Sequence, residues 1–200
     1  MNANATEIIL SEHRSIAAVL DGLRYFTRAL GNGSERPALD FRAARALLYY
    51  LDIFPEQFHH PKEDLFLFTA IREATSEADR TIDQLKAEHG QGEARLLRLM
   101  RLVILAEFEP DRYLKDFTTS ADRYVIDYLS HMGLEEEVLL PLAKRVLDDK
   151  AKARLDMVFG AHNDPLSGAA QLGAGRDYDE LLARVVNIVP APIGLGPDTL

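Results

Sequence analysis

Apolar residues over the first 150 positions recur at spacings of three and four, the period of one face of an α-helix, and no segment alternates as a strand would. From Thr6 to about residue 30, Ile9, Ile16, Leu20, Leu23 and Leu30 form such a face, with Thr6 as the expected cap and Gly31-Asn32-Gly33-Ser34 as the stop. A second helix is predicted from residue 38 or 39 to about 74, with Leu48, Leu51, Pro55, His59, Glu63, Phe66 and Ala70 on one face. Pro55 and Pro61 lie inside it, so it should be kinked or segmented. The third, from about 76 to 108, carries Ile82, Leu85, His89, Gly92, Leu96, Leu99, Val103 and Ala106, and Pro110 ends it. The fourth carries Phe117, Ala121, Tyr124, Tyr128, His131, Glu135, Val138 and Leu142 before Asp148-Asp149.

Four amphipathic helices of this length with short turns predict an all-α protein, an antiparallel up-down-up-down four-helix bundle. A short fifth helix is expected over 151–160 and another over 177–187. The Pro- and Gly-rich end is predicted to be extended, because proline cannot continue a helix. Residues 1–163 are therefore expected to form the bundle and 164–200 a C-terminal extension. Ile188, Val189, Ile193 and Leu195 would leave a sticky strip if unpacked, so the extension should cover its own bundle or, alternatively, join a homodimer.

Composition narrows the chemistry. There is no cysteine, which excludes disulfides, thiolate metal sites, iron–sulfur clusters and cysteine nucleophiles together. A formal charge of −9 with no polybasic cluster argues against nucleic acid or anionic lipid as a partner. No apolar run is long enough to span a bilayer, and the N-terminal residues lack the positive and apolar regions of a secretory signal, so a cytoplasmic location is expected.

An internal repeat carries the candidate chemistry. Glu12-His13 in the first helix is echoed by Glu88-His89 in the third, 76 residues later; His59 and Glu63 in the second are echoed by His131 and Glu135 in the fourth, 72 residues later. His-x-x-x-Glu places an imidazole and a carboxylate one turn apart on one helix face, where they can share a metal ion. His89, and His131 with Glu135, stand in register with core residues, so their side chains should face the bundle interior, as should His13, His59 and Glu63. A buried carboxylate without a partner costs several kcal/mol. No Lys or Arg on the inward faces offers that charge to Glu63 and Glu135, whereas two metal ions would neutralise both and use all four imidazoles. Nitrogen and oxygen donors alone suit iron, manganese, zinc or nickel, and carboxylates with imidazoles inside a helix bundle most often hold a pair of irons.

His13, the run Phe58-His59-His60-Pro61-Lys62-Glu63-Asp64, Glu88-His89, and His131-Met132-Gly133-Leu134-Glu135-Glu136 resemble the hemerythrin-like (HHE cation-binding) domains. The resemblance covers roughly residues 6 to 145, and His162-Asn163-Asp164-Pro165-Leu166 with the Pro-Gly-rich end resembles a bacterial subgroup. It implies a non-heme di-iron centre with His13, His59, His89 and His131 as terminal ligands and Glu63 and Glu135 as bridges, and a role in O2 binding or sensing or in iron handling. Oxygen-carrying hemerythrins place two histidines four apart on the third helix, whereas here Glu93 follows His89 at that spacing. One donor must then be a carboxylate, water or a residue from elsewhere, with Glu93, His60 and His162 as candidates. That departure favours O2 reduction, peroxide or NO chemistry, or iron binding over reversible oxygenation. Other readings are a non-redox module in which Zn or a similar ion supports a partner interface, and a di-iron oxidase or peroxidase. His60 is expected beside the metals or on the surface, His162 at a helix end, and Gly92 as room for a diatomic ligand or a bend.

Overall fold

The computed structural model describes residues 4–161 together with Asp164 and Leu166, and its regular elements are all helical. Helix α1 spans Ala5–Gly31 and is capped by Asn4 rather than Thr6. The Asn4 side chain accepts from Glu7 N–H while Glu7 reaches back to Asn4 N–H, a reciprocal arrangement that Thr6, already inside the first turn, cannot make. The second arm begins at Pro37, whose missing N–H suits a first turn, and contains α2 (Pro37–Leu51), α3 (His60–Lys62) and α4 (Phe68–Ala74). The third arm is α5 (Asp79–Phe108). The fourth comprises α6 (Pro110–Leu134) and α7 (Leu140–Val146). Helix α8 spans Asp149–Gly160, two residues earlier than expected because Asp148 caps it by accepting from Ala151 N–H.

Within the second and fourth arms the predicted segmentation takes a specific form. π-Helical turns occupy Asp52–His59, Glu63–Leu67 and Glu135–Leu139. Pro55 lies in the first, where it cannot supply an i→i−4 bond, and His60 N–H reaches Pro55 C=O instead. In the other two, Phe68 N–H bonds Glu63 C=O and Leu140 N–H bonds Glu135 C=O, so the repeat offset of 72 holds for the turns as well. Each extra residue rotates the remainder of its arm. Leu67 and Ile71 are therefore buried where Phe66 and Ala70 were expected, and Leu139 where Val138 was.

Helix α1 packs against α2, α6 and α8, while α5 packs against α6 and α2. Two apolar clusters result. One holds Ile16, Leu20, Leu23, Leu48, Leu96, Leu99, Phe117 and Met132, and the other Ile9, Leu67, Ile71, Ile82, Leu85, Leu139 and Phe159. The sequence positions between them on each arm are the histidines and carboxylates. Ala5 N–H donates to Asp156 of α8 at 2.7 Å, tying that helix to the start of α1. Buried Asp164 accepts from Tyr50 Oη at 2.9 Å, and Leu166 packs against the first cluster. His162, the expected helix over 177–187 and the strip Ile188, Val189, Ile193 and Leu195 lie outside the described residues. No helix among the described residues is long and apolar enough to cross a membrane.

Candidate metal centre

All six expected metal ligands are buried in the layer between the apolar clusters: His13, His59, Glu63, His89, His131 and Glu135. They form two groups. His13, His59, Glu63 and Glu135 bring one donor atom each within 4.8 Å of one another, and His89 and His131 do the same with His60. Each glutamate turns one oxygen toward each group. Glu63 Oε1 lies 3.4 Å from His59 Nε2 and 3.8 Å from His13 Nε2, while its Oε2 lies 3.8 Å from His89 Nε2. Glu135 Oε2 lies 3.4 Å from His13 Nε2, and its Oε1 lies 3.4 Å from His131 Nε2 and 3.9 Å from His89 Nε2.

None of these four carboxylate oxygens has a hydrogen-bond partner among the described residues, nor has His13 Nε2. Unpartnered buried oxygens on two ionisable groups are costly, and a cation between the imidazoles removes that cost. Burial opposes ionisation of Glu63, but His59, His13 and His89 outweigh it and hold the carboxyl well below its usual range. For His13 and His131 burial works against the proton. Contacts with Glu63 and Glu135 for the first, and with Glu135 and Glu88 for the second, prevail and raise both to about 9.

An outer ring of carboxylates fixes the imidazoles. His13 Nδ1 meets Glu136 at 2.8 Å, His59 Nδ1 meets Glu12 at 2.8 Å, His89 Nδ1 meets Asp64 at 3.2 Å and His131 Nδ1 meets Glu88 at 2.8 Å. A carboxylate only accepts, so each Nδ1 carries its hydrogen and each Nε2 faces inward, where His89 Nε2 and His131 Nε2 share a proton at 2.9 Å and a metal ion would take the place of such protons. Every member of the ring neighbours an inward residue in sequence: Glu12 beside His13, Asp64 beside Glu63, Glu88 beside His89, Glu136 beside Glu135. The partner it holds is always on another arm. Lys62 Nζ, 3.2 Å from Glu12, and Phe159 beneath that ammonium extend the chain to α8.

A model of the hemerythrin HHE cation-binding domain matches residues 4–143. The chain belongs to that family. No curated protein and no solved structure matches it. The two groups of donors fit the cation binding for which the HHE family is described.

Within this HHE domain the structure revises several expectations. His60 is not on the surface; it is buried, stacked on His89 with ring centroids 4.0 Å apart, and grouped with His89 and His131. Burial, with the neighbouring His89 and His59, keeps it neutral at ordinary pH by lowering its pKa well below the usual value. Tyr128 Oη lies 2.8 Å from His60 Nε2. Glu93 is exposed and belongs to neither group, so the third imidazole on that side comes from the second arm. Pro55, which must disturb the helix just before His60, was the signal the sequence held. Gly92 leaves its space to Glu56, since a Cβ there would stand 2.7 Å from Glu56 Oε1. Burial pushes that carboxyl up to about 7.

Proposed function

We propose that this HHE domain is a non-heme di-iron protein that binds or senses O2 or a related small oxidant such as NO or peroxide, or handles iron. In this reading His13 and His59 hold one ion, His89 and His131 the other, and Glu63 and Glu135 bridge the two. His60 serves the second ion. One observation carries the reading: two buried glutamates present four unpartnered oxygens, one from each residue toward each group of imidazoles. Oxygen and nitrogen donors without sulfur suit iron, with manganese or zinc as competitors. A bound iron pair supplies electrons to an oxidant.

The protein's own contribution is to hold each Nε2 inward through the Nδ1 carboxylates and to flank the donors with two apolar clusters. The up-down-up-down order of the four arms belongs to this reading, supported by connections as short as residue 109 between α5 and α6. So does the division into a bundle over 1–163 and an extension over 164–200, whose buried Asp164 supports packing on the bundle. Elemental analysis of the purified protein with an optical spectrum of its oxidised form tests the proposal. Two irons per chain with a charge-transfer absorption are expected. A colourless zinc protein would overturn the redox reading, and a single ion would overturn the bridges.

A further inference from the structure

The two sides of the centre differ in access. On the His13 and His59 side, Phe159 of α8 is fully buried and Lys62 closes over Glu12. On the other side, between α5 and α6, a cavity of about 230 Å³ is lined by Glu56, His60, His89, Tyr124, Tyr128 and His131. A second cavity of about 360 Å³ shares Arg95, Arg123, Tyr124 and Asp127 with the first and adds Arg98 and Ser120. The two cavities adjoin through these shared residues, and the inner one reaches the three imidazoles.

Charge and hydrogen bonding in the two cavities point to one kind of occupant. The outer cavity has three guanidiniums and one carboxylate in a chain of net charge −9. Asp127 is shared: Arg123 donates to it at 3.0 Å and 2.9 Å, and Arg95 stands 3.5 Å away. Two cations on one anion leave positive charge at the mouth. Where the cavities meet, the Tyr124 hydroxyl is buried and has no hydrogen-bond partner among the described residues. A buried donor without an acceptor is costly, so the site favours a ligand that accepts. In the inner cavity Glu88 is paired with His131 and Glu56 faces His60 Nδ1 at 3.5 Å. A neutral diatomic molecule needs neither the cations nor the hydroxyl, and the inner volume is several times the roughly 30 Å³ that a water occupies in the liquid.

We propose that these two adjoining cavities admit and bind a small oxyanion, of the size of nitrite, steered by Arg95, Arg98 and Arg123 and held by Tyr124 Oη beside His60, His89 and His131. The chemistry the anion meets at the inner end rests on the metal-binding reading; the anion site itself does not.

The test uses sodium nitrite as the probe, with binding followed by calorimetry and stopped-flow kinetics at several ionic strengths, on the protein as isolated and after chelation. The unmodified protein should bind nitrite with an association rate that falls as salt rises. Arg95→Gln with Arg123→Gln should slow association about tenfold and flatten the salt dependence. Tyr124→Phe, which keeps the ring, should weaken affinity about tenfold by removing the donor. Lys150→Gln with Arg154→Gln, the same charge change on α8, should alter neither. If the arginine pair does not fold, Arg98→Gln should still slow association. No nitrite binding, an equal effect of the α8 pair, or full affinity in Tyr124→Phe would overturn the proposal. Metal content separates the two readings: a chain that takes up no metal but binds nitrite overturns the di-iron reading and leaves the anion site standing.

Discussion

Glu135 and Glu136 are neighbours whose carboxylates have different work. Both oxygens of Glu135 are buried and unpartnered, one toward each group of imidazoles. Glu135→Ala should therefore lose at least one of two metal ions, and full occupancy by elemental analysis would refute the bridge. By helix geometry alone, Glu136 should point about 100° away from the seam, which predicts that Glu136→Ala is harmless. The fold instead sets Glu136 against His13 Nδ1 at 2.8 Å. Its removal should keep the bundle and weaken one ion by about 10–100-fold, measurable by competition with a chelator. Gly92 offers a second contrast. Alanine for glycine inside a helix is worth about 1 kcal/mol, but the added Cβ would crowd Glu56 Oε1. Gly92→Ala should gain that stability only in a Glu56→Ala background, a difference that denaturant unfolding of the four proteins resolves.

At the scale of elements, the π-helical turns at Glu63–Leu67 and Glu135–Leu139 rotate the apolar face by one residue just after each glutamate. Leu65 lies inside the first and is exposed. Deleting it would let the arm close as an ordinary α-helix, with Leu67 and Ile71 then three and seven positions after Glu63 and so still facing the core. The far-ultraviolet circular dichroism should therefore stay helical, while metal content falls below two ions per chain. Unchanged metal content would show that the turn has no part in aiming Glu63. Periodicity exposes such turns only indirectly, because adding one residue to a repeat of three and four still leaves a run of apolar positions to choose from.

For the whole molecule, the buried charges link metal, protons and stability. His13 and His131 are raised from an ordinary 6.5 to about 9 in the folded metal-free chain. A raised imidazole stabilises fully below the unfolded value and loses that contribution as pH rises through the folded value. The chelated protein should therefore melt at progressively lower temperature between about pH 6.5 and pH 9. Metal must displace protons from the same nitrogens, so its affinity should climb over that window and its binding should release protons. Calorimetry in buffers of different ionisation enthalpy measures the release. A flat melting profile with no proton release would mean that the carboxylates do not hold these imidazoles charged.

The spacing of apolar residues was enough to place the helical arms, and the paired offsets of 76 and 72 residues picked out His13, His59, Glu63, His89, His131 and Glu135, all of them buried. Both are properties of single helices: a residue's face is set by its position along its own chain. The tertiary structure decided the contacts between arms. Glu93, His60 and His162 stood as candidates for the missing donor, and a π-helical turn with Pro55 inside carried His60 inward while Glu93 stayed in solvent. Likewise Glu12, Asp64, Glu88 and Glu136 were visible only as neighbours of inward residues; that each steadies a histidine on a different arm depends on how the arms pack. Sequence sets direction around one helix axis, and only packing settles which group lies in that direction.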